Sequence, residues 1–173
     1  MKSRRFKPFW RRRNKRRKKP ARSFRRLEPL EARILLAADF GDAPRPYLTT
    51  LLEGGPHHEA TGPTLGGLRD TEADGQPSAT AAADEDEDGV TFGTIMVGAL
   101  DAAATVNVKN APGGAKLDAW IDFNADGSWG GPFEQIANNV AVVDGDNTIR
   151  FDVPSWAVDG TTYARFRLST AGN

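Results

Sequence analysis

The feature that most constrains the fold is a period-two alternation of apolar and polar residues, which recurs in short segments of the C-terminal half. In one segment Ala104, Val106 and Val108 alternate with polar neighbours. Successive side chains of a strand point to opposite faces, so such a segment buries one face and exposes the other. Short alternating segments separated by Gly, Asp or Pro are typical of sandwiches. The sequence therefore predicts an all-β fold, an antiparallel β-sandwich with long acidic loops.

The same alternation predicts further strands. One of them, from Val90 to Val97, is irregular, and we expect a bulge at Gly93-Thr94 because the apolar phase slips there. No segment shows the 3.6-residue period of an amphipathic helix. The other predicted inward faces are Leu117, Ala119, Ile121 and Phe123; Ile149, Phe151 and Val153; and Ala164, Phe166 and Leu168.

Charge divides the chain into unlike parts. The net charge is zero, but residues 1–33 hold 16 Lys/Arg and 2 Glu, a net +14. Residues 34–173 hold the other 7 Lys/Arg and 21 Asp/Glu, a net −14. We therefore expect a basic targeting or anchoring segment over 1–38, an acidic loop-rich stretch over 39–89 and the β-sandwich over 90–173. The chain has no cysteine, which excludes disulfides and thiolate metal sites.

The basic segment contains a run of like charge from Arg11 to Lys19, which repels itself and is expected to be disordered. Such a run binds nucleic acid by neutralising phosphates, or an anionic membrane at roughly 1 kcal/mol per basic residue; a solvated tail is the third alternative. The residues that follow, Leu27-Glu28-Pro29-Leu30-Glu31-Ala32-Arg33-Ile34-Leu35-Leu36, resemble the LEPR-XLL motif found near the N-terminus of large bacterial surface proteins. The resemblance implies export, with sorting machinery or an anionic membrane as partner and no nucleic acid.

A metal-loop pattern lies between two predicted strands. From Asp122 to Trp129, oxygen-bearing side chains occupy loop positions 1, 3 and 5, Gly occupies position 6, and the residue at position 7 offers its carbonyl. This is the first half of an EF-hand-type calcium loop. Position 12 is Phe133 instead of an acid, so we expect the next residue to close the site. The alternative is an Asx-rich turn whose side chains only cap backbone amides. The predicted Ca²⁺ ligands are Asp122, Asn124, Asp126, Ser128 and Glu134.

The acidic stretch carries a second, weaker metal-loop pattern. Carboxylates alternate along it and are followed by Gly, as a tight loop requires when hard oxygen ligands converge within about 2.3–2.6 Å of Ca²⁺. A flexible acidic linker is the alternative. The two histidines, His57 and His58, are adjacent and point apart in an extended chain, so we expect no metal pair there. The predicted ligands of this second set are Asp70, Glu72, Asp74, Asp84, Asp86 and Asp88.

The acidic part as a whole, from Asp39 to Asn173, resembles the GEVED domain of large extracellular and surface-associated bacterial proteins. That family has no established enzymatic activity, and the resemblance implies a structural or adhesion-type module. The Gly-Glu-Val-Glu-Asp signature follows the last strand in family members and does not occur here before Asn173, so the resemblance implies a domain that continues further. It is carried by Asp39-Phe40-Gly41-Asp42-Ala43-Pro44, Leu65-Gly66, Asp70-Thr71-Glu72-Ala73-Asp74-Gly75, Asp86-Glu87-Asp88-Gly89-Val90, Trp120 to Trp129, and Tyr163-Ala164-Arg165-Phe166-Arg167-Leu168-Ser169.

The sequence features can be compared with three functions from different classes. The first is a non-enzymatic surface module with other surface proteins or glycans as partners. The alternative is a carbohydrate-binding module, with Trp129 and Trp156 as stacking platforms. A glycoside hydrolase would need two carboxylates about 5–9.5 Å apart across a cleft. Carboxylates that alternate with Gly suit an ion better than a raised-pKa acid, so we predict that the chain is not an enzyme.

Overall fold

The computed structural model describes residues 38–59, 61–68, 72–81 and 89–171. All of them belong to one compact unit. No helix in this part of the chain is long and apolar enough to cross a membrane. The described elements are β1 (Ala38–Phe40), a 3₁₀ turn (Leu51–Glu53), β2 (His57–Glu59), β3 (Thr64–Leu65), β4 (Val90–Phe92), β5 (Ala102–Lys109), β6 (Ala115–Ile121), β7 (Gln135–Val142), β8 (Gly145–Phe151) and β9 (Ala164–Ser169).

Two antiparallel sheets form the sandwich. In the first sheet β5 is central, with β8 along one edge and the short strands β3 and β4 sharing the other. In the second sheet β6 is central, between β7 and β9. A separate two-stranded ribbon pairs β1 with β2. The predicted all-β class and antiparallel sandwich are confirmed.

The core lies between β5 and β6, and it follows the alternation in the sequence. Ala104, Val106 and Val108 of β5 are each 0% exposed, and so are Leu117 and Ala119 of β6. Complete burial of a Val or Leu side chain stabilises the fold by roughly 1.5–3 kcal/mol. The predicted inward faces of these strands are therefore confirmed. The prediction is also confirmed for the other residues expected to face inward in these segments, all of which are buried: Ile121, Phe123, Ile149, Phe151 and Val153.

The inward face of β9 is less well covered. Ala164, Phe166 and Leu168 pack against the core, as predicted, but all three are only half-buried. β9 pairs with β6 on one side, and no other described strand pairs with it. Among the described strands, β9 is therefore an edge of the second sheet.

The predicted strand from Val90 to Val97 is wrong in its second half. β4 ends at Phe92, which pairs with Ala104, and the amide of Gly93 makes one more hydrogen bond to the carbonyl of Ala103. Because β5 begins at Ala102, the ladder has no further partner, and the chain turns away instead of bulging. Beyond this point Ile95 and Val97 are 39% and 46% exposed.

One long strand was not predicted. β7 has no clean alternation, because Asn138 and Asn139 stand in its middle. Asn139 has a φ of +52°, and the register of β7 against β6 shifts between Leu117 and Ala119. The amide of Asn139 donates a 2.8 Å hydrogen bond to Oδ1 of Asp118, which is fully buried. The bulge thus breaks the period on which the prediction depended.

Candidate calcium site

The site is the loop between β6 and β7, residues 122–134. The ends of the loop are held together by a 2.9 Å hydrogen bond from the amide of Ile121 to the carbonyl of Glu134. Asp122 and Glu134 are therefore neighbours in space although they stand at opposite ends of the loop. The sandwich supplies the rigid base on which the loop is built.

In the first half of the loop, side-chain oxygens accept hydrogen bonds from backbone amides further along the chain. Oδ1 of Asp122 accepts a bond from the amide of Asp126 (3.2 Å), and Oδ2 accepts one from the amide of Gly127 (2.9 Å). Oδ1 of Asp126 accepts the amide of Ser128 at 2.9 Å. Left-handed backbone at Ala125 (φ +54°) and Gly127 (φ +81°) tightens the turn. These bonds curl the chain so that its carboxylates point inward.

Three carboxylates converge at the centre of the loop. One carboxylate oxygen from each of Asp122, Asp126 and Glu134 lies within 4.8 Å of the other two. Asp122 and Glu134 are 0% exposed, whereas Asp126 is exposed. Ca²⁺ binds oxygens at about 2.3–2.6 Å, so oxygens with this mutual spacing can contact one ion.

Glu134 is the member of the group that turn geometry does not explain. Its neighbour Phe133 has a φ of +65° and a side chain that is 78% exposed, so the backbone reverses there and carries the next residue inward. Oε2 of Glu134 accepts the amide of Gly131 at 2.6 Å, but Oε1 is buried without a hydrogen-bond partner. A Cβ added to Gly131 would lie 2.6 Å from Cδ of Glu134, so this glycine makes room for the carboxylate.

The electrostatics of the group favour a cation. Burial raises the pKa of Glu134, the Gly131 amide opposes this, and the charges of Asp122 and Asp126 raise the pKa further. A buried carboxylate next to two others is costly unless a positive charge compensates it. The group therefore fits a bound divalent cation, and the donor set, which consists only of oxygens, suits Ca²⁺ better than Zn²⁺.

Two residues distant in sequence support Asp122. The hydroxyl of Tyr47 donates a 2.6 Å hydrogen bond to Oδ2 of Asp122, and Oγ1 of Thr162 donates to the carbonyl of Asp122. Burial first, and the bond to Asp122 second, raise the pKa of Tyr47. Sequence reasoning missed both residues. No local pattern marks them, because Tyr47 lies 75 positions from its partner.

The remaining predicted ligands of the loop lie beside the three carboxylates. Oδ1 of Asn124 accepts the amide of Asp126 at 2.9 Å, and the Asn124 side-chain amide donates to Oδ2 of Asp126 at 2.9 Å. Oγ of Ser128 accepts the amide of Gly130 at 3.1 Å, which leaves the Ser128 carbonyl as the group available to a cation. Their assignment as ligands stays a prediction.

The second predicted set is described only at Glu72 and Asp74. Oε1 of Glu72 accepts the side-chain amide of Gln76 at 2.5 Å, and Glu72 is 7% exposed. Oδ1 of Asp74 accepts the amides of Leu51 (2.7 Å) and Gly75 (2.9 Å), which is a capping role. Neither is part of the metal-binding group that the described residues form. Asp70, Asp84, Asp86 and Asp88 lie outside the described residues.

The proposed stacking platforms differ in their packing. The ring of Trp129 is stacked on Tyr47 with 4.5 Å between centroids, and its Nε1 donates to the carbonyl of Tyr163 at 3.2 Å. Trp156 is 45% exposed. Trp129 is thus largely part of the packing around the loop, and only Trp156 has a substantially open ring.

Comparison with known families places the loop inside a recognised domain. Residues 116–173 match the model of the GEVED domain family, and this segment contains nearly all of β6, the loop, β7, β8 and β9. The match covers about a third of the chain. The resemblance of residues 39–115 to that family, and of residues 27–36 to the LEPR-XLL motif, stays a prediction. No curated protein and no solved structure matches the chain.

Proposed function

We propose that this chain, whose residues 116–173 are identified as a GEVED domain, is a non-enzymatic structural or adhesion-type module of an exported bacterial surface protein, with its loop 122–134 ordered by Ca²⁺. The observation that supports calcium binding is the fully buried carboxylate of Glu134, which lies in one group with Asp122 and Asp126 and has one oxygen, Oε1, without a hydrogen-bond partner.

The Asx-turn alternative accounts for part of the loop only. Backbone amides satisfy Asp122 and Asp126, as a purely structural turn would require. Glu134 adds a third negative charge to the same place and leaves one oxygen without a donor. A protein that needed only a turn would be more stable with a neutral residue there. A cation bonded to all three carboxylates removes both the repulsion and the unsatisfied atom.

The absence of enzymatic activity is supported by the surroundings of the same carboxylates. A glycoside hydrolase needs its acid and its nucleophile or base to face a sugar across a cleft. Asp122 and Glu134 are 0% exposed, and Asp122 is bonded to Tyr47 and to backbone amides. Carboxylates held in this way are suited to binding an ion and have no access to a substrate.

The surface location rests on the two family resemblances. The LEPR-XLL-like residues 27–36 follow the basic run, and GEVED domains occur in surface-associated proteins. A reporter protein fused behind residues 1–38 should reach the cell surface in a bacterium with the matching machinery. Substitution of Leu35 and Leu36 by Ala should retain it inside. Equal surface exposure of both fusions would contradict a sorting role for the motif.

Calcium binding is tested by the thermal unfolding of the full chain in millimolar Ca²⁺, in Mg²⁺ and in chelator. Ligand binding to the native state stabilises it by RT ln(1 + [L]/Kd), about 2.7 kcal/mol at a hundredfold excess over Kd. The melting temperature should rise in Ca²⁺, and Glu134→Gln should remove most of the rise. Asp159→Asn, an exposed carboxylate outside the loop, is the matched control and should keep it. An unchanged melting curve in all three buffers would disprove the proposal that Ca²⁺ binds the loop 122–134.

A further inference from the structure

The ribbon segment, defined as residues 38–59, consists of β1, β2 and the chain that joins them. Its two strands pair with each other, and no described strand of the sandwich pairs with either of them. The chain between the strands is folded on itself. The amide of Tyr47 donates to the carbonyl of Pro44 at 3.1 Å, and the amide of Gly55 donates to the carbonyl of Thr50 at 2.8 Å. Among the described residues, therefore, no strand ladder fixes the ribbon segment to the sandwich.

The ribbon segment contacts the sandwich at the candidate calcium site. Tyr47 is 5% exposed, and its hydroxyl donates the 2.6 Å hydrogen bond to Oδ2 of Asp122. Its ring lies on that of Trp129, in the middle of the calcium loop, with 4.5 Å between centroids. The preceding residue, Pro46, packs closely on Gly127, where an added Cβ would lie 2.1 Å from the proline Cγ. Two consecutive residues of the ribbon segment thus contact three residues of the loop.

Asp122 links these contacts to the candidate ion-binding group. Its carboxylate is 0% exposed and lies in one group with those of Asp126 and Glu134. Without a cation the three carboxylates repel one another, and the repulsion favours any movement that carries Asp122 away from the other two. Such a movement also weakens the hydrogen bond from Tyr47. A bound cation replaces the repulsion by attraction, and it holds Asp122 in the position that the hydroxyl of Tyr47 requires.

Tyr47 has the properties of a residue that positions a metal ligand. Burial, and after it the bond to Asp122, raises the pKa of Tyr47, so the hydroxyl keeps its proton and remains a donor to the carboxylate. Carboxylates that bind metal ions are themselves hydrogen-bonded by outer partners, and loss of such a partner typically lowers metal affinity by about 10–100-fold. Two groups that stabilise the same position of one carboxylate raise each other's affinity, and this coupling is reciprocal.

We propose that Ca²⁺ in the loop 122–134 controls the docking of the ribbon segment on the sandwich, with Tyr47 as the residue that couples the two. This inference rests on the proposed calcium binding. Without Ca²⁺ the ribbon segment separates locally from the loop while the sandwich stays folded, and the opening ends at β3, which pairs with β5. By the same coupling, the docked ribbon segment raises the affinity of the loop for Ca²⁺. Because the ribbon segment directly follows the predicted anchoring segment, Ca²⁺ determines how much of the chain next to that anchor is docked.

A second attachment of the ribbon segment is independent of the ion. The amide of Ser78 donates to the carbonyl of Asp42 at 2.8 Å, and the hydroxyl of Tyr163 donates to the carbonyl of Ala79 at 2.8 Å. Neither bond involves a carboxylate of the ion-binding group. The bond from Tyr163 is exposed and ends on a neutral carbonyl, whereas the bond from Tyr47 is buried and ends on a carboxylate. Hydrogen bonds to ionised groups are roughly twice as strong as neutral ones, so we infer that the attachment through Tyr47 is the stronger.

The first test compares amide hydrogen exchange of the full chain in millimolar Ca²⁺ and in chelator, measured by mass spectrometry on peptides from the ribbon segment, the loop 122–134 and β5. In chelator the ribbon segment should exchange faster than β5, because it opens locally while the core stays closed. In Ca²⁺ exchange of both the loop and the ribbon segment should slow by at least about tenfold. A ribbon segment that exchanges as slowly as β5 in chelator has no opening of its own, and this result would overturn the inference.

The second test is a calorimetric titration of the wild type and of two variants with Ca²⁺. Tyr47→Phe keeps the ring contacts and loses the donor to Asp122, so the Kd for Ca²⁺ should rise about tenfold or more. Its ribbon segment should also gain less protection from Ca²⁺ than that of the wild type. Tyr163→Phe loses one hydroxyl that bonds only the second attachment, and it should keep the wild-type affinity. Equal affinities of Tyr47→Phe and the wild type would overturn the inference.

The outcomes separate this inference from the calcium binding on which it rests. If Ca²⁺ binds and protects the loop but leaves exchange of the ribbon segment unchanged, the coupling is wrong and the calcium site stands. If the titration shows no binding and the loop gains no protection, both are wrong. The exchange measurement needs no variant, so it decides the matter even if Tyr47→Phe fails to fold.

Discussion

The hydroxyl of Tyr47 donates a 2.6 Å hydrogen bond to Oδ2 of Asp122, and the two residues stand 75 positions apart in the chain. The same tyrosine ring stacks on Trp129 at 4.5 Å and meets Tyr163 edge-on at 5.3 Å. One side chain from the acidic stretch 39–89 thus contacts a predicted metal ligand, a tryptophan in the middle of the same loop and the residue before β9. The two parts of the predicted domain are joined at the candidate site.

The Tyr47 bond can be tested by removing one atom. Tyr47→Phe keeps the ring contacts and removes the donor to a fully buried carboxylate. Hydrogen bonds to charged groups contribute about 1.5–3 kcal/mol, so the free energy of unfolding should fall by about that amount in denaturant titrations. Tyr163→Phe is the control, because its hydroxyl bonds the carbonyl of Ala79 in an exposed position and should cost less. Equal losses in the two variants would contradict a special role for Tyr47.

An alanine substitution at Gly127 tests whether the stability of the protein depends on the close packing of the loop. Its φ is +81°, and a Cβ added there would lie 2.1 Å from Cγ of Pro46. Gly145 has a φ of +99° and nothing within 4 Å of such a Cβ. Left-handed backbone costs a residue other than glycine roughly 1–2 kcal/mol. Gly145→Ala should therefore destabilise the fold by about that amount.

The alanine variant at Gly127 adds the collision with Pro46 to the same backbone cost. It should be clearly the less stable of the two, and it should also bind Ca²⁺ more weakly, because the Gly127 amide bonds Asp122. Urea titration of both proteins, with and without Ca²⁺, measures the difference. If the two variants lost equal stability, the contact with Pro46 would be unimportant.

The sequence was sufficient for the parts of the fold in which local order is regular. β5, β6 and β8 alternate, and except for Asp118 of β6 their buried residues are those that the alternation selects. β7 was missed because the bulge at Asn139 interrupts the period, and β4 was extended too far because its length depends on where β5 begins. Strand length is set by the partner strand, and a single segment carries no information about its partner.

The residues of the candidate site were likewise predictable only in part. Asp122, Asn124 and Asp126 lie within five consecutive residues, so their spacing alone predicts a turn of oxygen ligands. Glu134 could be proposed only as the next acid in the chain. Its inward position depends on the left-handed backbone at Phe133 and on the space beside Gly131. The bond from Tyr47 depends on a tertiary contact that no local pattern encodes.

The raised pKa of Glu134 predicts how stability depends on pH without calcium. The folded chain keeps the Glu134 proton to higher pH than the unfolded chain, in which glutamate titrates near about 4.3. Between these two pKa values the folded state binds more protons, so stability falls as pH rises through that interval. Below the unfolded pKa the penalty is absent, and above the folded pKa it is fully present.

Glu134→Gln removes this titration, since Gln is neutral at every pH and can still accept the Gly131 amide. In chelator at neutral pH the variant should be more stable than the wild type, and the difference should disappear in acid. In Ca²⁺ at neutral pH the order should reverse, because the cation stabilises only the chain that keeps the carboxylate. Denaturant titrations at neutral and acidic pH, with Ca²⁺ and with chelator, give the four comparisons.

Asp159→Asn is the control for these titrations and should show neither the gain in chelator nor the reversal in Ca²⁺. A Glu134→Gln chain that is less stable than the wild type in chelator would mean that the carboxylate stabilises the loop without any ion, and the calcium site would then be an ordinary turn.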